Sequence, residues 1–332
     1  MAAQDISANL THPAQRNLAG ALDALSIEKF DGRVHMHEQM KAITDGVFDW
    51  KPLVGTDTMS NAAMGDPTLQ AVVPGVEPLG HTIEVGDQIV QVKTPILARV
   101  VVGMLAQVQD RLSIKSRTPE NFGRKIAKIV DELLLLKCVH AAQKATGAGE
   151  VSDMPGGTNL EMVAATDELD PTKLEAKIMD LAQVLAEKEI DLADGKLYVA
   201  PAQFFTLLKN DKLTSADFSK DNGHYANAGV SVTSGMPIVM TNRLSQVADD
   251  GSVAGSNGNI MGASYLTADL NADVVALFAM PESIMVAQSI PLTSDVYWDQ
   301  RLLTWFIDAY LAFGAAPDRP DKTACLRKFR DD

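Results

Sequence analysis

With 332 residues, 46% of them hydrophobic and 22% charged, the chain has the composition of a folded protein of two domains, or of one with large insertions. A formal charge of −14 argues against a sequence-reading nucleic-acid binder, whose footprint is a concentrated basic surface. No apolar run approaches the roughly 20 residues that span a bilayer, and the N-terminus lacks the basic-then-apolar order of a secretion signal. Cys138 and Cys325, the only cysteines, lie outside any CxxC. They fit a reducing compartment and a fold without a disulfide framework, leaving a single bond open.

Residues 17–29 and 34–43 fit either short amphipathic helices or extended arms. From Val47 the composition changes: prolines at 52, 67, 74, 78 and 95, with many glycines, exclude a helix. Inside this stretch HTIEVGDQIVQVK alternates apolar and polar residues (Ile83, Val85, then Ile89 or Val90, Val92), the pattern of a half-buried strand. A two-stranded excursion between about 50 and 95 is expected, and because an isolated hairpin is marginal in water it should rest on something else.

Residues 118–146 carry the plainest helix signal. Thr118-Pro119-Glu120 supplies a cap hydroxyl, a proline at the first helical position and an acid facing the dipole. Phe122, Ile126, Ile129, Val130, Leu133, Leu134 and Leu136 follow at helical spacing, and the run of four leucines at 133–136 implies burial on more than one side. Gly147 and Gly149 should end it. From Pro119 that is about 28 residues, roughly 42 Å. Gly123 sits one turn inside this start, where close packing and a flexible first turn are both open readings.

An acidic glycine-rich loop leads to a second helix started by Asp170-Pro171, with Leu174, Ile178, Leu181 and Leu185 as its apolar face. KLYVAP (196–201) reads as a buried strand running into the short helix AQFFTLLKN. GVSVTSGMPIVMTNRL (229–244) reads as strands around a turn, and 247–259 as a surface loop. The C-terminal part is strand-rich: DVVALFAM, SIMVAQSI, the alternating VYWDQRLLTWFIDAYLAF, and TACLRK. Charge is uneven along the chain. Arg99 to Lys128 holds seven basic residues (Arg99, Arg111, Lys115, Arg117, Arg124, Lys125, Lys128) against Asp110 and Glu120. Glu150 to Asp194 holds twelve acidic residues against Lys173, Lys177 and Lys188. Such segments either form solvated faces or set register between neighbouring copies.

No constellation of catalytic or ligand-holding residues emerges. Neither GxxxxGK[ST] nor a strand-bound GxGxxG is present, so phosphate is not cradled in those ways. There is no GxSxG, and Cys138 falls inside the long helix, where a small packing residue is expected. His35-Met36-His37 could begin a zinc site, but the further ligands are missing nearby. His140 reads as a packed side chain and Asp249-Asp250-Gly251 is too short for a calcium loop. Trp298, Trp305, Phe306 and Tyr310 read as strand core. The expectation is an uncatalytic chain with no catalytic, cofactor-binding or metal-binding residues and no cofactor.

The order of parts is an arm, a proline-bearing hairpin, a long helix, an acidic mixed domain and a strand-rich return. It resembles the major capsid proteins of tailed bacteriophages with the Hong-Kong-97-type fold, on the short-tailed, podovirus-like branch. KLYVAPAQFFTLLKNDKLTSADFS resembles the family's strand, proline turn and short helix. SGMPIVMTNRL resembles its small-Gly-x-Pro-Val strand, here Gly235, Pro237, Ile238, Thr241, Asn242 and Leu244. DVVALFAMPESIMVAQSI and the segment to Lys328 resemble the closing strands, with a glycine turn and a proline before the last one. The likeness runs from about Leu18 to Lys328.

The resemblance implies an α+β fold with four parts. Residues 1–46 would be the N-terminal arm and 47–98 the E-loop hairpin. Residues 99–170 with 286–332 would form the peripheral domain, with 118–146 as spine helix, and 171–285 the axial domain. It implies self-assembly as pentamers and hexamers into an icosahedral shell that encloses double-stranded DNA without sequence-specific binding. It further implies a location in the virion after assembly in the host bacterial cytoplasm, no membrane, a separate scaffold protein, a portal and a possible decoration protein. An encapsulin-type nanocompartment shell protein of the same fold is the alternative. Lys51 and Lys93 lie near the hairpin base and no lysine lies at its tip, so the covalent cross-link of some relatives is not carried over.

Overall fold

The computed structural model describes residues 42–44, 46–65, 69–71, 75, 77, 80, 82–104, 114–146, 155–210, 223–224, 229–230, 232–244 and 274–329, with backbone alone for 114–121, 223–224, 229–230 and 232. The expected arm or helices before residue 42 and the loop at 247–259 lie outside these residues.

Four strands build the first sheet, in the order β1 (Trp50–Pro52), β12 (Ile284–Asp299), β13 (Thr304–Pro317) and β4 (Pro95–Gly103). β1 runs parallel to β12, and the other neighbours are antiparallel. Pro291 falls within β12 beyond its pairing with β1, where one side of the strand has no ladder partner among the described strands and a missing N–H costs least. The expected alternating run 296–313 is in fact two strands: residues 300–303 turn the chain back, with Leu303 at φ 51.

The second sheet has six strands in the order β5 (Thr158–Glu161), β14 (Thr323–Arg327), β11 (Val274–Ala279), β6 (Lys196–Val199), β10 (Met236–Met240) and β9 (Val232–Thr233). Its β9–β10 turn uses Ser234 and Gly235, both at positive φ, as a tight two-residue hairpin requires. β7 (Gly223–His224) and β8 (Gly229–Val230) form a separate small ribbon.

Helix α1 (Ile114–Gln143) lies between the two sheets. It starts four residues ahead of the expected Thr118 cap and stops at Gln143, ahead of Gly147 and Gly149, which lie outside the described residues. Pro119 is therefore the sixth helical residue and forfeits a bond to the Lys115 carbonyl, a loss offset by the burial of the later turns. Leu133 to Leu136 are all buried, as the widened stripe implies. One core joins them to Ile307, Leu311 and Phe313 of the first sheet and to Tyr198, Leu277 and Cys325 of the second.

The opposite face of the six-stranded sheet carries α2 (Pro171–Glu187) and α3 (Pro201–Leu208). Asp170 caps α2 by accepting from the Thr172 and Lys173 amides, and Pro171 takes the first position. Leu174, Ile178, Leu181 and Leu185 are fully buried, as the periodicity requires.

β2 (Thr58–Met64) and β3 (Val85–Gln91) form the expected excursion, an antiparallel hairpin separate from both larger sheets. Its base rests on the four-stranded sheet, where Val90 is buried against Met285 and Ala287. Gly314 contributes to this seat. The expected glycine turn is absent: Gly314 lies mid-strand in β13, where an added Cβ would come within 2.6 Å of the Gln91 carbonyl oxygen. The close approach of two backbones, not a turn, accounts for the glycine.

Candidate assembly interface

The hairpin alternates between two surfaces. Met59, Asn61, Gln88 and Val90 face the body of the same subunit, by the two-residue period of the ladder. The opposite surface and the outer end expose apolar side chains instead: Met64 is 70% exposed, Val85 62%, Ile89 59% and Leu69 94%. The half-buried face expected from Ile83 and Val85 is thus open in the single chain, and Val90 is the residue that packs at home. A row of this kind is unusual for a monomer, and exposed apolar surface of this sort is characteristic of interaction sites.

A second surface is the outer face of the four-stranded sheet. Arg99 holds Asp308 through two bonds of 2.7 Å, with its guanidinium 5.3 Å from the centre of the Phe306 ring. Tyr297 stacks on Phe306 at 5.2 Å and accepts from Arg99 at 3.2 Å, and the Tyr310 hydroxyl donates to Asp295. The aromatic residues singled out in sequence therefore divide. Trp305 and Trp298 pack together on the core side, while Phe306 and Tyr310 lie on the outer side, and no cage forms.

Charge marks two further faces. Arg124, Lys125 and Lys128 line an exposed side of α1, with Lys128 3.5 Å from Glu132. Glu161, Asp180, Glu187, Glu189, Asp191 and Asp194 are exposed around the six-stranded sheet and α2.

Cys138, Cys325 and His140 are packing groups. Burial pushes the Cys138 thiol up to about 12 and does the same to Cys325, which keeps both protonated and poor nucleophiles. His140 is pushed down to about 4 by burial and by Lys137, so it stays neutral. Among the described residues no group of three or more His, Cys, Asp and Glu could hold a metal ion, and no helix is long and apolar enough to cross a membrane. His35, His37 and Asp249 to Gly251 lie outside the described residues, and Lys51 and Lys93 are exposed near the hairpin base. The sequence reading missed Asp131. It is fully buried mid-helix, where its carboxylate accepts from the Ile43 and Thr44 amides and the Thr44 hydroxyl and pairs with Arg243.

A family model described as phage capsid protein matches residues 105–327, about two thirds of the chain. The chain belongs to the phage capsid protein family. Solved phage structures share its fold. The capsid of the cyanophage P-SCSP1u matches with a TM-score of 0.76 and 16% identity, over 96% of this chain and 93% of that one. The mature capsid of bacteriophage PhiM1 gives 0.74 and 17%, over 88% of each chain. Mycobacterium phage Che8 gives 0.60 and 16%, over 82% and 84%. No curated protein matches by sequence. The expected tailed-phage major capsid fold is the observed one, and the subunit is a structural component of the virion shell. A phage family and phage structures together favour the virion over the encapsulin-type compartment.

Proposed function

We propose that the subunit assembles as pentamers and hexamers into an icosahedral shell around double-stranded DNA. The observation that carries this reading is the β2–β3 hairpin, seated at its base on its own subunit and apolar on the surface turned away. In this reading 47–98 is the E-loop and 1–46 the N-terminal arm. Residues 99–170 with 286–332 form the peripheral domain with α1 as its spine, and 171–285 the axial domain. β5 and β14 hydrogen-bond into the sheet of the axial strands, so the two domains share one sheet. Weak contacts suffice, because each copy meets several neighbours and a closed shell multiplies them. The subunit works without catalysis, metal or cofactor. Its partners are its own copies, a separate scaffold protein, a portal and in some shells a decoration protein, and it assembles in the host cytoplasm.

Negative-stain electron microscopy of the purified protein, alone and with a candidate scaffold, tests the reading. Closed particles are expected, and deletion of Thr56–Pro74 should leave a folded subunit that makes none. Monodisperse monomers at every concentration, or normal particles from the deletion variant, would overturn it.

A further inference from the structure

Asn61 and Gln88 are direct partners across the β2–β3 ladder, so their side chains leave the same face of one rung. Each reaches a different part of the subunit. The Asn61 amide donates to both carboxylate oxygens of Asp318, at 2.9 and 3.0 Å, in the turn that follows β13. The Gln88 side-chain oxygen accepts from the Lys144 ammonium at 3.3 Å, one residue past the end of α1. Lys144 is itself fixed in place: its carbonyl accepts from the Gly157 amide at 2.8 Å, and an added Cβ on Gly157 would meet the Ala141 carbonyl oxygen at 2.4 Å. Toward the base, Val90 and the Gly314–Gln91 approach hold the strands down; outward, Met64 and Val85 are exposed.

We propose that the Asn61–Gln88 rung is a two-legged brace that sets the angle of the hairpin and ties it mechanically to the C-terminal end of α1. One leg alone leaves a ribbon free to roll about that contact. Two legs on opposite strands of one rung remove the rolling freedom, and their footings are on separate elements. A shift of the end of α1 relative to the β13 turn therefore tilts the hairpin, and a tilt of the hairpin loads the end of α1. The brace holds whatever covers the outer surface of the hairpin, so it does not depend on the shell reading.

The test uses the full-length free subunit, below the concentration at which it assembles, with hydrogen–deuterium exchange as the readout. Asn61→Ala and Gln88→Ala should each speed exchange in 58–64 and 85–91 by roughly three- to fivefold, the loss of one modest hydrogen-bonded contact. The double variant should reach about tenfold or more, with thermal midpoint and exchange in α2 unchanged. Gln88→Ala, but not Asn61→Ala, should also speed exchange in the last turn of α1. Unchanged hairpin exchange in the double variant would overturn the brace, and so would loosening spread evenly over the subunit. Identical α1 behaviour in the two single variants would remove the link to the helix.

Discussion

The Asp131 carboxylate serves three segments at once. It lies on α1, accepts from the chain at Ile43 and Thr44 just before β1, and pairs with Arg243 in the strap after β10. A buried ion in this position repays its desolvation only if every partner stays. Asp131→Ala would leave the Arg243 guanidinium and two amides without their acceptor, and should cost about 3–5 kcal/mol, read as a lowered denaturation midpoint. Thr44→Val, which removes one hydroxyl bond, should cost only about 1 kcal/mol. Equal losses in the two variants would mean that the ion pair is not what holds the segments together. Cys138 is the opposite case. It is as deeply buried as Asp131 and carries no such duty, which suits a small thiol in an apolar helix face.

At the scale of elements, legibility depended on whether a local rule and the tertiary packing agreed. Asp170 and Pro171 cap α2 as their types demand, because an N-cap is decided within four residues. The turn at 300–303 was hidden because its residues, Gln-Arg-Leu-Leu, include no Gly, Pro, Asn or Asp, and Leu303 takes positive φ under the constraint of the long β12–β13 pairing. The start of α1 was misplaced because Thr118-Pro119 imitates a cap within a helix held by two sheets. That shift changes the reading of Gly123. It is the tenth helical residue and buried, so the flexible-first-turn account no longer fits its position. Gly123→Ala should lower stability by about 1–3 kcal/mol through overpacking. A gain of up to about 1 kcal/mol, the helix-propensity benefit alone, would show instead that the site has room. Thermal unfolding of the subunit separates the two.

For the whole molecule the question is how a chain of charge −14 assembles with copies of itself. Like-charged subunits repel at distance, so contacts must bring unlike patches together to gain register as well as attraction. The two patches exist on separate elements: Arg124, Lys125 and Lys128 on α1, and the exposed acids from Glu161 to Asp194 around the six-stranded sheet. Within one subunit, Lys177 pairs with Asp180 and Lys128 with Glu132, each inside its own helix, while Lys125 faces outward. If these patches meet between copies, exposed pairs should be screened beyond roughly 10 Å at 0.1 M salt, and assembly should slow as salt rises. Reversing Arg124 and Lys125 to Glu should slow or block assembly with circular dichroism of the free subunit unchanged. Adding a second reversal on the acidic side, Asp191 and Asp194 to Lys, should restore part of the rate, because the pairing is remade with its signs exchanged. Light-scattering kinetics over a salt series read both effects. Kinetics equal to wild type in the first variant would show that the basic side of α1 stays solvated in the shell. Slowing without any recovery in the combined variant would place the partner of α1 on some surface other than this acidic face.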